Sequence, residues 1–168
     1  MTRPQVDDYL AQYRECVGRV GYLLLRLPVM RSELQKIKDN LVADAALETP
    51  QHEEGMPHGS GVGNPVEKIV LKFADGFLPE DVMVAEKELQ SAEQEFEYRQ
   101  RVVLCVDAWL KGLSEREAWI INHKVIDSDY SWREVIVMYR LQYGEEYSRD
   151  ALKRIKDRAM EKIYRFAE

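Results

Sequence analysis

Two short segments in the last third of the chain carry a strong helix-start signal. Residues 114–117 (Ser-Glu-Arg-Glu) and 131–134 (Ser-Trp-Arg-Glu) both fit the pattern S-x-x-E. In this capping box the serine oxygen accepts from the amide three residues later, and the glutamate accepts from the serine amide. Ser148 is a third N-cap candidate, followed by Asp150 where the helix dipole favours an anion. The spacing predicts three short helices in a helix-turn-helix arrangement.

The third of these helices is basic although the chain is acidic. Residues 148–168 carry seven basic and four acidic side chains, a net charge of +3, whereas the whole chain carries −6. The remainder therefore carries −9. A basic helix on an acidic protein is a localised electrostatic feature typical of contact with nucleic acid.

The same helix divides into faces. One apolar stripe runs along it, formed by Leu152, Ile155, Ala159, Ile163 and Phe166. Basic residues flank the stripe on both sides: Arg149, Lys153 and Lys156 on one, and Arg154, Arg158 and Arg165 on the other. The stripe is expected to face the core.

The position of these charges predicts which residues contact DNA. In a helix-turn-helix the N-terminal part of the last helix meets the base edges, where arginine pairs with guanine and aspartate accepts from cytosine N4. The candidate readers are Arg149, Asp150, Lys153 and Arg154, and Arg158, Lys162 and Arg165 are placed for phosphates. The candidate set is Ser148, Arg149, Asp150, Lys153, Arg154, Lys156, Arg158 and Lys162. The alternative is an ordinary amphipathic helix with solvated charges.

The N-terminal segment, from Val6 to about Leu47, reads as a long helix with a heptad seam. Its apolar positions alternate in steps of four and three: Val6, Leu10, Tyr13, Val17, Val20, Leu24, Leu27, Met30, Leu34, Ile37 and Leu41. Two successive threes at Leu27 and Met30 indicate a phase slip, and Pro28 lies inside it. We expect a kink or break there.

Residues 49–65 read as a flexible loop because they hold three prolines and four glycines. Residues 52–58 contain four side chains of the types that ligate metals: His52, Glu53, Glu54 and His58. Their spacing matches no helix-borne motif, so we expect no metal there. A short helix is expected from Pro65 to about Ala74.

A second long helix is expected from Pro79 to about Leu110. Its seam is Val82, Ala85, Leu89, Ala92, Phe96, Arg99, Val103, Val106 and Leu110, and only Arg99 interrupts the apolar pattern. Two heptad helices joined by a loop indicate an antiparallel hairpin, a dimeric coiled coil or both; a purely intramolecular core is the alternative. The predicted fold class is all-α. Residues 1–112 form a helical association or partner-binding region, and residues 113–168 form the helix-turn-helix domain.

Nothing in the sequence indicates catalysis. No nucleophile accompanies a base, Gly59-Ser60-Gly61 lacks the context of a phosphate loop, and His123 reads as a partner for the end of a helix. We expect no enzyme, no cofactor and no metal. There is no membrane-length apolar run and no signal-peptide segment, so a cytoplasmic protein without membrane contact is expected, with Cys16 and Cys105 reduced and packed.

The order of these features resembles the phage and prophage late-gene transcription regulators of the RinA and ArpU type. The residues that carry the resemblance are Gly59-Ser60-Gly61 with Asn64-Pro65-Val66-Glu67, Leu113 to Glu117, Ser131 to Val135, and Ser148 to Met160. The resemblance implies a C-terminal part similar to the sigma-factor region that reads the −35 promoter element. It also implies binding to double-stranded promoter DNA, action with bacterial RNA polymerase, and activation of late operons. A homodimer would read two half-sites.

The chain departs from that family at the turn before the last helix. Ser148 follows Trp132 by sixteen residues, where the family has about ten, and residues 142–147 contain Gly144-Glu145-Glu146. This predicts a longer second helix or a wider turn, with two acids that would repel phosphate. The alternatives in function are a small terminase subunit and an adaptor that binds RNA polymerase or a sigma factor without touching DNA.

Overall fold

The computed structural model describes residues 1–47 and 79–168, and every regular element in these two ranges is helical. The helices are α1 (Arg3–Leu47), α2 (Glu80–Lys111), α3 (Glu115–Ile121), α4 (Trp132–Tyr143) and α5 (Arg149–Phe166), with a π-helical turn at Asn122–Ile126 after α3. The all-α prediction is confirmed. The loop, the histidines and the short helix expected within residues 49–74 lie outside the described residues.

The three predicted helix starts are confirmed. Ser114 and Ser131 each form both halves of a capping box, with Glu117 and Glu134 accepting from the serine amides at 3.0 and 2.7 Å. Ser148 caps α5 by accepting from the amide of Ala151 at 3.2 Å. Local side-chain chemistry therefore sets where each C-terminal helix begins.

The chain forms two compact units, and their boundary differs from the one expected at residue 112. One unit contains residues 1–22 and 96–168, and the other contains residues 23–95. The reason is a shared core in the first unit, where residues of α1 and α2 pack with residues of the C-terminal helices: Val6, Leu10, Val106, Trp109, Ile121, Ala159 and Ile163. The C-terminal helices therefore share this cluster with the long helices, and they form a second one by themselves, made of Ile120, Val135, Tyr139 and Leu152.

The two long helices run antiparallel within each unit. In the second unit Arg31 pairs with Glu93 at 2.8 Å and Lys38 with Glu86 at 2.7 Å, so the numbering rises in α1 as it falls in α2. In the first unit Arg99, the polar seam residue, donates to Glu15 at 2.7 Å. The predicted hairpin is thus intramolecular, and Arg99 fixes its register.

The predicted seam of α1 is wrong at Val17 and Leu24, whereas Leu27 is buried as predicted. Cys16 and Leu23 are buried, whereas Val17 and Leu24 are 45% and 59% exposed. The phase slip therefore lies between Tyr13 and Cys16, not at Leu27. The prediction followed the face of Val6 and Leu10, which packs in the core shared with the C-terminal helices rather than only against α2. In α2, likewise, Val102 and Trp109 are more buried than the predicted Val103 and Leu110.

The break expected at Pro28 does not occur. α1 is helical from Arg3 to Leu47 with Pro28 inside it. Proline removes one backbone hydrogen bond and crowds the carbonyl four residues earlier. Leu23, just before the affected turn, and Leu27, inside it, are both buried.

A buried carboxylate links α3 to α5. The Glu117 residue is only 6% exposed; its side chain accepts from the amide and hydroxyl of Ser114 and, with both oxygens, from Lys162 Nζ at 2.8 Å. Burial disfavours the charged form of Glu117, but the hydrogen bonds from Lys162 and Ser114 outweigh burial and lower its pKa. The Glu117–Lys162 pair thus fixes α5 against the start of α3.

Replacing Lys162 with methionine should lower the free energy of unfolding by about 1–3 kcal/mol, because the Glu117 carboxylate would stay buried without its cation. Urea unfolding followed by circular dichroism measures the change. Arg165→Met is the matched control, since Arg165 is exposed on the same helix and should change stability by less than about 0.5 kcal/mol. Equal effects of the two substitutions would contradict the assignment.

Stability should also depend on pH through Glu117. A depressed pKa in the folded state contributes stability above the unfolded value, about 4.3, and that contribution is lost as pH falls through the folded pKa. The difference in unfolding free energy between wild type and Glu117→Gln should therefore shrink from about pH 6 to about pH 3, since glutamine keeps the cap but does not titrate. A difference independent of pH would show that Glu117 is not charged in the fold.

Candidate nucleic-acid interface

The apolar stripe of α5 faces the core, as its spacing predicts. Leu152, Ala159 and Ile163 are fully buried and Ile155 is partly buried. Phe166 is half exposed, and its ring lies over Gly112, where an added methyl group would come within 2.6 Å of the ring. The glycine at the end of α2 therefore permits close approach of the last turn of α5.

The structure brings most of the predicted DNA-contacting residues to the surface of α5. Arg149, Asp150, Arg154 and Arg158 are exposed, and Lys153 and Lys156 are partly exposed. Ser148 is exposed too, but its hydroxyl is used as the helix cap. The N-terminal half of α5 thus presents three basic readers and one acidic reader to solvent.

Lys162 is placed differently from the rest of the set. Its ammonium group lies on the two oxygens of Glu117, so it serves the contact between α5 and α3. Lys156 lies 3.2 Å from the neighbouring Asp157, an exposed pair of little energetic weight. These two cations are less available to a phosphate than the others.

Five of the eleven acids in residues 113–168 pair with a cation from another part of the fold or from the turn before α5. Five pairs lie between 2.7 and 3.1 Å: Arg3 with Glu161, Arg14 with Asp127, Arg116 with Glu145, Arg140 with Glu146, and Lys162 with Glu117. Within the described residues, six cations of these helices have no such partner: Arg133, Arg149, Lys153, Arg154, Arg158 and Arg165. Residues 113–168 carry eleven basic and eleven acidic side chains, so the positive charge is concentrated on α5 and is not an excess over the whole region.

The extended segment expected before α5 begins in helical conformation. α4 continues to Tyr143 and ends at Gly144, whose φ of 69° is in the left-handed region that glycine adopts without strain. Glu145 accepts from Arg116 at 2.8 Å, and this hydrogen bond lowers the pKa of Glu145. Glu146 pairs with Arg140 at 2.7 Å. The two acids expected to repel phosphate are therefore each held by an arginine.

Arg133 is a candidate that the sequence analysis missed. It is the second residue of α4, is exposed, and has no carboxylate partner among the described residues. A cation at a helix N-terminus is disfavoured by the helix dipole, so an unpaired arginine there suits a phosphate ligand. The exposure of Arg133 could have been predicted from residues 131–134, because a capping box fixes where the helix begins and therefore which first-turn side chains point outward.

Aromatic packing holds α3 against α4. Trp119 meets Tyr139 edge-on with ring centroids 5.4 Å apart, and His123 stacks on Trp119 at 3.9 Å. His123 Nδ1 lies 2.8 Å from the carbonyl oxygen of Trp119, as expected for a histidine that satisfies the end of a helix. These contacts support the position of α4 but supply no catalytic arrangement.

Other site types gain no support from the described ranges. Residues 1–47 and 79–168 contain no group of three histidine, cysteine or acidic side chains that could hold a metal ion. None of the helices in these ranges is long and apolar enough to cross a membrane. Cys16 is buried, Cys105 is partly buried, and both thiols are free.

Comparison with known proteins does not assign this chain to a family. No protein-family model, no curated protein and no solved structure matches this chain.

Releasing Arg116 and Arg140 from their carboxylate partners should strengthen binding to a polyanion. The double variant Glu145→Gln/Glu146→Gln removes the partners of Arg116 and Arg140, so it should elute from immobilised heparin at higher salt than wild type. Glu88→Gln/Glu97→Gln makes the same change in net charge on α2, where both glutamates are exposed. Equal shifts for the two double variants would show that net charge alone, and not this surface, governs retention.

Proposed function

We propose that this protein binds double-stranded DNA through α5 and regulates transcription. The observation that carries the proposal is the charge distribution of the C-terminal helices. Glu117, Glu145 and Glu146 are paired with cations, while six cations on α4 and α5 have no carboxylate partner within the described ranges. A surface of unpaired arginines beside a capped, exposed helix is suited to phosphates and base edges.

The roles follow from position along the helix. Arg149, Lys153 and Arg154 read purine edges, with Asp150 available to cytosine N4. Arg158 and Arg165 on α5 and Arg133 on α4 contact phosphates, which fixes the register of the readers. Ser148 holds the start of α5, Lys156 is a peripheral phosphate contact, and Lys162 anchors the helix to Glu117.

The resemblance to late-gene regulators of the RinA and ArpU type suggests where the protein acts and in which role. The protein would act at phage or prophage promoters as an activator, positioned by α5 next to RNA polymerase. The capped helix starts and the basic last helix support this reading.

The proposal predicts salt-dependent binding of duplex DNA by the full chain. Fluorescence anisotropy with a mixed-sequence duplex should show the logarithm of the affinity falling linearly with the logarithm of the salt concentration. Arg158→Gln and Arg165→Gln should each reduce the slope by about 1. On a duplex that the protein selects, Arg149→Ala and Lys153→Ala should each cost about 1–3 kcal/mol of binding free energy.

Arg101→Ala is the control, since Arg101 is an exposed arginine of α2 in the same compact unit. A loss in that variant as large as in Arg158→Gln would remove the assignment to α5. Absence of duplex binding at low salt would favour the polymerase or sigma adaptor, and large rings in solution would favour the terminase type.

A further inference from the structure

The outer face of α4 is apolar and uncovered. Val137 is 58% exposed and Leu141, one turn later, is 81% exposed. Tyr130, just before the helix, is 38% exposed on the same side. Exposed apolar side chains that are contiguous on one helix face mark an interaction surface more often than scattered ones do. We call Val137 and Leu141 the α4 ridge.

A hollow lies on each side of Val137. One, of about 370 Å³, is lined by Tyr130, Arg133, Glu134, Val137 and Met138. The other, of about 610 Å³, is lined by Ile136, Val137, Arg140, Leu141, Glu146 and Tyr147. A protruding leucine beside an open, partly apolar hollow gives this face the shape to receive a copy of itself.

The charges beside the ridge differ in sign. At about 100° per residue, Arg133 and Arg140 lie on one side of Val137 and Glu134 on the other. When two copies of a helix pair in parallel about a twofold axis, opposite flanks meet, so Glu134 of one copy faces Arg133 of the other. Antiparallel pairing brings like flanks together and sets arginine against arginine. Charge complementarity therefore selects the parallel arrangement.

Parallel pairing also agrees with the shape of this face of α4. Leu141 lies on the glutamate side of the ridge, and the larger hollow lies on the arginine side at the same height along α4. Parallel pairing thus sets Leu141 of each copy opposite the hollow between Ile136, Arg140 and Tyr147 of the other. Antiparallel pairing would leave that hollow without the leucine.

We propose that the α4 ridge is the surface through which two copies of this chain associate, with their α4 helices side by side and parallel. A helix of 12 residues buries less area than the roughly 800 Å² per partner of a standard interface. The association is therefore weak, a monomer–dimer equilibrium in the micromolar range. It needs no DNA, so it is measured separately from DNA binding. Because Arg133 faces Glu134 of the other copy in the dimer, the phosphate contacts of the dimer fall to Arg158 and Arg165.

Sedimentation of the full chain without DNA, over a series of concentrations, tests the proposal. The mass should rise from 19.7 kDa to twice that value as concentration increases. Leu141→Lys should weaken association at least about ten-fold. Leu104→Lys is the matched control, because Leu104 is a 61% exposed leucine on α2 and its replacement should leave the dimer intact. Circular dichroism checks that both variants keep their helices.

Arg133→Glu separates the two orientations. In the parallel dimer it sets glutamate against Glu134 of the other copy and should weaken association, whereas in an antiparallel dimer it would relieve repulsion and strengthen it. A strengthened dimer would overturn the proposal. So would a protein that stays monomeric at the highest concentration, and so would a Leu141→Lys variant that associates like wild type.

Discussion

One of the two buried clusters of the C-terminal helices is completed by the long helices, and the placement of α5 depends on that shared cluster. Ile121, Ala159 and Ile163 are buried only because Val6, Leu10 and Trp109 of the long helices cover them. Near its C-terminal end α5 is also held by polar contacts with other helices. Lys162 donates a hydrogen bond to Glu117, and Tyr164 donates one to Asp7 at 2.8 Å. Burial and the hydrogen bond to Asp7 raise the pKa of Tyr164 to about 12. The start of α1 is therefore part of the scaffold that positions α5.

Electrostatic pairing within this scaffold creates the candidate interface. Each acid that lies near α5 or in the turn before it could weaken the attraction for a polyanion, and most are held by a specific cation. α5 exposes arginine and lysine together with Asp150, Asp157 and Glu161, and residues 148–168 carry +3 although the chain as a whole carries −6. The acidity of the whole protein and the basicity of this surface are therefore compatible, and they favour a localised contact over general adhesion to nucleic acid.

The features that depend on neighbouring residues were predicted correctly from the sequence. The three N-caps and the ends of both long helices follow from side chains within a few residues of each boundary, and they agree with the structure. The seam of α1 could not be read in the same way, because Cys16 and Val17, or Leu23 and Leu24, are equally suited to a heptad position. The choice depends on contacts with helices distant in sequence. The role of Lys162 was missed for the same reason, since its partner Glu117 is forty-five residues away.

Selection of the full chain on a pool of random duplex DNA tests the central claim most directly. The full chain is required because residues 113–168 lack part of their core without α1 and α2. The account predicts an enriched motif in which guanine and cytosine positions are defined, as arginine and aspartate readers require, and loss of that enrichment with Arg149→Ala. No enrichment at low salt by a protein that keeps its helical circular dichroism would contradict sequence-specific DNA binding.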